Sequence, residues 1–122
     1  MLRIVTLVLA NGPGLPMGSA EYRYQLGVQL DAGSRLNPEQ WYADPNPWPA
    51  TRHWPGEAPR TGTVQHDKEA GWSLHFDPRP ELAGDASVHG VIRTTPFMRP
   101  GEYLTILEPD MAEYAYRIVQ VA

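Results

Sequence analysis

The chain contains no cysteine. Disulfides, thiolate metal sites, iron–sulfur clusters and cysteine nucleophiles are therefore excluded, and His, Asp, Glu, Ser, Thr and Tyr are left to carry any chemistry. Lysine is nearly absent as well: Lys68 is the only one among ten basic residues. With abundant Ala, Gly and Pro, this preference for arginine reads as the codon bias of a GC-rich bacterial genome. Long apolar runs are missing too. Nothing approaches the ~20 residues needed to span a bilayer, so no membrane partner is expected. The opening Leu2–Ala10 is apolar but short, carries Thr6 and stops at Asn11-Gly12-Pro13-Gly14. It is read as a buried first strand and not as a signal peptide, and the expected location is the cytoplasm.

A surplus of positive charge is also lacking. Fourteen acids against ten bases give a net charge of −4. Such a surface repels phosphate backbones, so nucleic acid is not an expected partner. Room for long helices is missing, because 13 prolines and 11 glycines cut the chain into short pieces. No G-x-S-x-G elbow, G-x-G-x-x-G loop or H-x-x-x-H pair occurs, and no motif names a cofactor.

What is present is strand periodicity. In Glu21–Asp31, Tyr22, Tyr24, Leu26, Val28 and Leu30 alternate with polar residues and Gly27, which puts one face on a core. Thr61–Asp67 and Gly71–Phe76 read as a hairpin, a further strand lies near Val88–Thr94, and Glu102–Glu108 with Glu113–Val121 form a second hairpin. The one helix signal is Asn37–Tyr42: Asn37 caps, Pro38 fits the first turn, and Leu36 with Trp41 can form a staple. The stretch from Asp44 to Arg60 has prolines at 45, 47, 49, 55 and 59 and reads as a loop wrapping the core, with at most a brief strand. The expectation for all 122 residues is one all-β domain, an antiparallel sandwich or barrel of about seven to eight short strands with one short helix. An open sandwich would leave an edge strand able to pair with a second copy, which makes a homodimer one expectation.

Two groups of residues carry candidate chemistry. Arg52, His53, Trp54 and Arg60 bring stacking area, guanidinium forks and an adaptable charge together, the chemistry of a recognition loop for a small ligand or a protein partner. Pairing Asp67 with Trp72 would place His66 and His75 on one sheet face, within reach of a shared metal if His53, His89, Asp77 or Asp85 supplied a third ligand. The serines offer less. Asp85, Ser87 and His89 alternate along one strand, which does not bend into a triad. The acids Glu102, Glu108, Asp110 and Glu113 gather at the last hairpin, where turn residues are ordinarily solvated. The first expectation is a non-catalytic binding or interaction module centred on Arg52, His53, Trp54 and Arg60. The alternative is a small metal-dependent or acid–base enzyme using His66 and His75.

Overall fold

The alternation read from Glu21–Asp31 becomes one stave of a closed barrel. The computed structural model describes residues 2–77, 88–94 and 97–122. Its elements in chain order are β1 (Arg3–Asn11), β2 (Ser19–Val28), α1 (Pro38–Ala43), β3 (Trp48–His53), β4 (Arg60–Asp67), β5 (Gly71–Phe76), β6 (Val88–Ile92), β7 (Tyr103–Leu107) and β8 (Glu113–Val121). The eight strands are antiparallel, each paired to its neighbours in sequence, and β8 returns to pair with β1. Of the two architectures expected, the barrel is the one formed. Closure also removes the free edge that a homodimer by strand addition would use. Among the described residues, no helix is long and apolar enough to cross a membrane. The turn at Gly84-Asp85 and the Asp85–Ser87 end of the supposed triad lie outside the described residues.

Every strand sends alternate side chains inward, and these fill the barrel. Val5, Leu7 and Leu9 on β1, Tyr24, Leu26 and Val28 on β2, and Trp72, Leu74 and Phe76 on β5 are all buried. Ile106 on β7 and Tyr116 and Ile118 on β8 complete the wall. Trp48 and Trp72 stack at 5.7 Å with an interplanar angle of 11°, and both lie within the core. At ~25 cal/mol per Å² of apolar surface removed from water, each such ring is a major contributor to stability.

Proline did not keep β3 out of the wall. Pro49 is exposed, and pairing with β2 begins only at Ala50, so its missing N–H lies outside that ladder. Trp48 beside it is fully buried. Burial of the tryptophan decided the path here. The helix forms where its signals place it. Asn37 Oδ1 accepts from the backbone N–H groups of Glu39 (2.8 Å) and Gln40 (3.4 Å), and Pro38 opens the first turn.

Both hairpins sit one residue away from the register expected of them. In the first, Asp67 faces Gly71, so His66 faces Trp72. The reason is the turn: Asp67 Oδ1 accepts from the N–H groups of Glu69 (2.8 Å) and Ala70 (2.9 Å), and Gly71 closes a three-residue loop at φ 79°. In the second, Glu113 faces Leu107 and not Glu108. Glu108 becomes the first residue of the turn, accepting from the Met111 N–H at 2.9 Å.

The direction of the strands sets the two ends. The lower end carries α1, the β4–β5 turn and the outermost pairing of β1 with β8. The upper end carries the β1–β2, β3–β4 and β7–β8 connections.

Candidate functional site

The lower and middle barrel are apolar, whereas the upper end is closed by polar groups that point inward. Strand parity explains this. Leu104 and Ile106 face the core, so the next residue of the same parity, Glu108, faces it too and is only 1 % exposed. Arg52 continues the row of Trp48 and Ala50 on β3 and is buried, and Arg60 opens β4 directly opposite it. Two guanidinium groups at opposed positions repel unless acids lie between or beside them.

Those acids are there. The Tyr24 hydroxyl donates to the Glu108 carboxylate (2.8 and 2.9 Å), and the Tyr116 hydroxyl donates to Oε1 at 2.9 Å. Arg52 Nε donates to the Tyr24 hydroxyl at 3.2 Å, and Nη2 lies 3.7 Å from Glu108 Oε2. On its outer side Arg52 Nη1 meets Glu57 Oε1 at 3.3 Å. The same guanidinium lies over the Trp54 ring, 3.8 Å from its centroid. Trp54 is held in turn by Tyr22 and Tyr114, with ring centroids at 4.9 and 5.4 Å. Tyr114 donates its hydroxyl to Asp110 at 2.7 Å. A short loop acid thereby anchors the rim.

The electrostatics follow from burial. Loss of water pushes the Glu108 carboxyl above its ordinary value, against the opposing pull of Tyr24, Arg52 and Tyr116. Burial also raises Tyr24 and Tyr116, with the nearby Glu108 adding to each. Tyr114 is pushed up to about 12, by burial first and then by Asp110. Burial works to lower the Arg52 guanidinium, but Tyr24 and Glu108 outweigh it and hold the proton more firmly.

Arg52, Trp54, Glu57, Arg60, Glu108, Pro109 and Asp110 line one cavity of about 220 Å³ at this end. A larger hollow of about 490 Å³ lies on the outer wall between α1 and β4, lined by Trp41, Tyr42 and Pro45 among others. Its one carboxylate, Asp44, already accepts from the Asn46 N–H (3.0 Å), the Trp48 indole (2.9 Å) and Gln29 (2.6 Å). Converging ionisable groups mark the smaller cavity as the candidate site.

Compared with known proteins, the chain matches no family model, no curated protein and no solved structure. The site must be read from its own chemistry.

Three of the four residues expected in a recognition loop meet in the cavity: Arg52, Trp54 and Arg60. His53 does not. It alternates away from Arg52, faces Arg23 across the β2 ladder, and its pKa is lowered by burial and by that arginine. The metal pair also comes apart. With the register moved by one, His66 shares the Trp72 face while His75 shares the opposite one with Ser73. His66 packs edge-on against Trp72 and Tyr42, at 4.7 and 5.5 Å. Among the described residues, no three His, Asp or Glu side chains gather to hold a metal ion. The alternative enzyme thus loses the shared face on which it rested.

Sequence patterning singles out neither Tyr24 nor Tyr116 for the site, and it weighs Glu108 only with the solvated acids of the last hairpin. The signal was available in the pattern Leu104-x-Ile106-x-Glu108, which carries an acid onto the apolar face. It was masked by assigning Glu108 to the solvated mouth of the hairpin.

Proposed function

We propose that this protein is a binding module that holds a small polar molecule in the upper mouth of its barrel. The observation that carries this reading is the cavity in which Arg52, Trp54 and Arg60 meet Glu57, Glu108 and Asp110. Arg52 and Arg60 are only 6 % and 8 % exposed. Residues so enclosed make poor contacts for a protein surface and good ones for a ligand that enters the barrel.

Size and charge narrow the ligand. A cavity of about 220 Å³ is smaller than the roughly 300–1,000 Å³ that drug-sized ligands occupy. Guanidinium donors stand beside carboxylate acceptors in near balance, so no strong field selects a bare anion or cation. Such a lining suits a molecule bearing adjacent donors and acceptors, of the size of a monosaccharide or a free amino acid. Holding fits better than turnover, because Glu108 already accepts from two tyrosines and Arg52 is engaged by Tyr24 and Glu57.

The test is titration with a panel of monosaccharides and free amino acids, followed by tryptophan fluorescence and calorimetry. A saturable response that is lost in Arg60→Gln and altered in Trp54→Phe is expected. Absence of any saturable response, or one unchanged in both variants, would overturn the reading.

A further inference from the structure

The β5–β6 ladder, a separate pairing from the β4–β5 one that parts His66 from His75, brings another pair together. His75 on β5 lies directly opposite His89 on β6, and their rings are 4.1 Å apart between centroids. Both project from the outer wall: the neighbours of His75 on β5, Leu74 and Phe76, are buried in the barrel, and His89 is exposed. We infer that His75 and His89 form a two-imidazole site for a divalent transition cation such as Zn²⁺ or Cu²⁺.

Three features support it. Directly opposed residues on paired strands have β-carbons only about 4.5–5.5 Å apart. Two imidazole nitrogens can then converge on one ion at bond lengths of roughly 2.0–2.1 Å after small side-chain rotations. Strands also hold the backbone of the two ligands rigidly, so little ordering is left for the metal to impose. Ser73 supplies the outer partner that metal-binding histidines use: its Oγ is 2.9 Å from His75 Nε2. With Nε2–H donating to that hydroxyl, the lone pair of Nδ1 is left for the metal.

Among the described residues the site has two protein ligands, and its remaining positions are open to water or to an external group. Imidazole nitrogen selects Cu²⁺, Zn²⁺ and Ni²⁺ over Mg²⁺ and Ca²⁺. This inference is independent of the upper cavity, which neither histidine lines.

The experiment is calorimetric titration of the purified full chain with ZnCl₂ and CuCl₂, with MgCl₂ as the reference. One equivalent of Zn²⁺ or Cu²⁺ and no Mg²⁺ response are expected. His75→Gln or His89→Gln should each weaken binding about tenfold or more, an effect on the scale of lost metal partners. His53→Gln and His66→Gln should leave it unchanged. Circular dichroism checks that each variant is folded. In the wild-type chain, Zn²⁺ should slow diethylpyrocarbonate modification of His75 and His89 and leave His53 and His66 unaffected. No saturable binding by the wild type, equal binding by the His75→Gln/His89→Gln double variant, or protection of the other histidines would each overturn the site.

Discussion

Arg52 and Arg60 occupy directly opposed positions on β3 and β4, and both are buried at the upper end of the barrel. Opposed like charges destabilise a sheet, and two buried ones would not persist alone. Glu108, Glu57 and the tyrosine hydroxyls answer this on the Arg52 side. The polar cluster is therefore a coupled unit, and its members should fail together.

That coupling can be measured directly. Arg52→Met removes the guanidinium beside Glu108, leaving its carboxylate to the Tyr24 and Tyr116 hydroxyls, and should cost about 3–5 kcal/mol of stability, as removal of one partner of a buried pair does. Combining it with Glu108→Gln should cost less than the sum of the two single changes, by about 0.5–3 kcal/mol. Urea denaturation of the four proteins gives the cycle. Strict additivity would show that the two groups do not sense each other.

Glu108 should also leave a mark on stability against pH. Its folded pKa lies above the ordinary 4.5, chiefly because of burial. The folded state thus holds the proton more tightly than the unfolded chain does. This contribution is fully present below the ordinary value and is lost as pH rises through the raised folded value. Asp44 and Asp67 titrate in the opposite sense, both lowered first by backbone hydrogen bonds, but they are shared by any variant at position 108. Subtracting the stability profile of Glu108→Gln from that of the wild type should isolate a fall with rising pH. Parallel profiles would contradict the assignment.

Gly62 is a point where backbone and neighbour nearly touch. A β-carbon there would run into the His75 carbonyl across the β4–β5 ladder, and backbone cannot step aside as a side chain can. Gly62→Ala should destabilise the barrel by roughly 1–3 kcal/mol or more, the scale of overpacking. Gly56→Ala serves as the reference, since its site has open space and only its φ of 79° opposes the change. Comparing thermal midpoints decides between the two positions, and equal losses would remove the steric argument.

At the lower end, Asn37→Ala should cost about 0.5–2 kcal/mol by releasing the N–H groups of Glu39 and Gln40 from the Asn37 carboxamide. Trp41 donates its indole N–H to the Val64 carbonyl at 2.9 Å, so loosening α1 should also alter its fluorescence. A loss of stability with no spectral change would show that the helix stays docked without its cap.

The strands were legible wherever one face alone was apolar, as in Tyr22–Leu30, because period-two alternation is a local property. The helix at Pro38–Ala43 was legible for the same reason, its cap and proline lying within four residues. Registers were less legible. Each hangs on one turn: the Asp67 carboxylate and the left-handed Gly71 move β5 by one residue, and every side chain on it then changes partner. That single step separated His66 from His75, while His75 meets His89 through the separate β5–β6 ladder. The candidate site was half legible. Arg52, Trp54 and Arg60 stood out by type, whereas Glu108 needed the parity of β7 and Tyr24 needed closure of the barrel to come within 2.8 Å of it. Contacts spanning 84 positions leave no mark on a local window.

Ile4 on β1 and Ala122 just past β8 meet at the end opposite the mouth. Ile4 donates its N–H to the Ala122 carbonyl at 3.1 Å, and Ala122 donates back to Ile4 at 2.9 Å. A short linker could therefore join Ala122 to Arg3 while the chain is reopened at Lys68–Ala70, a turn on that same lower end. Such a rearranged chain would keep all eight staves and leave the connections around the cavity uncut. The order of strands along the sequence is thus separable from the order around the barrel, and only the second bears on what the mouth can hold.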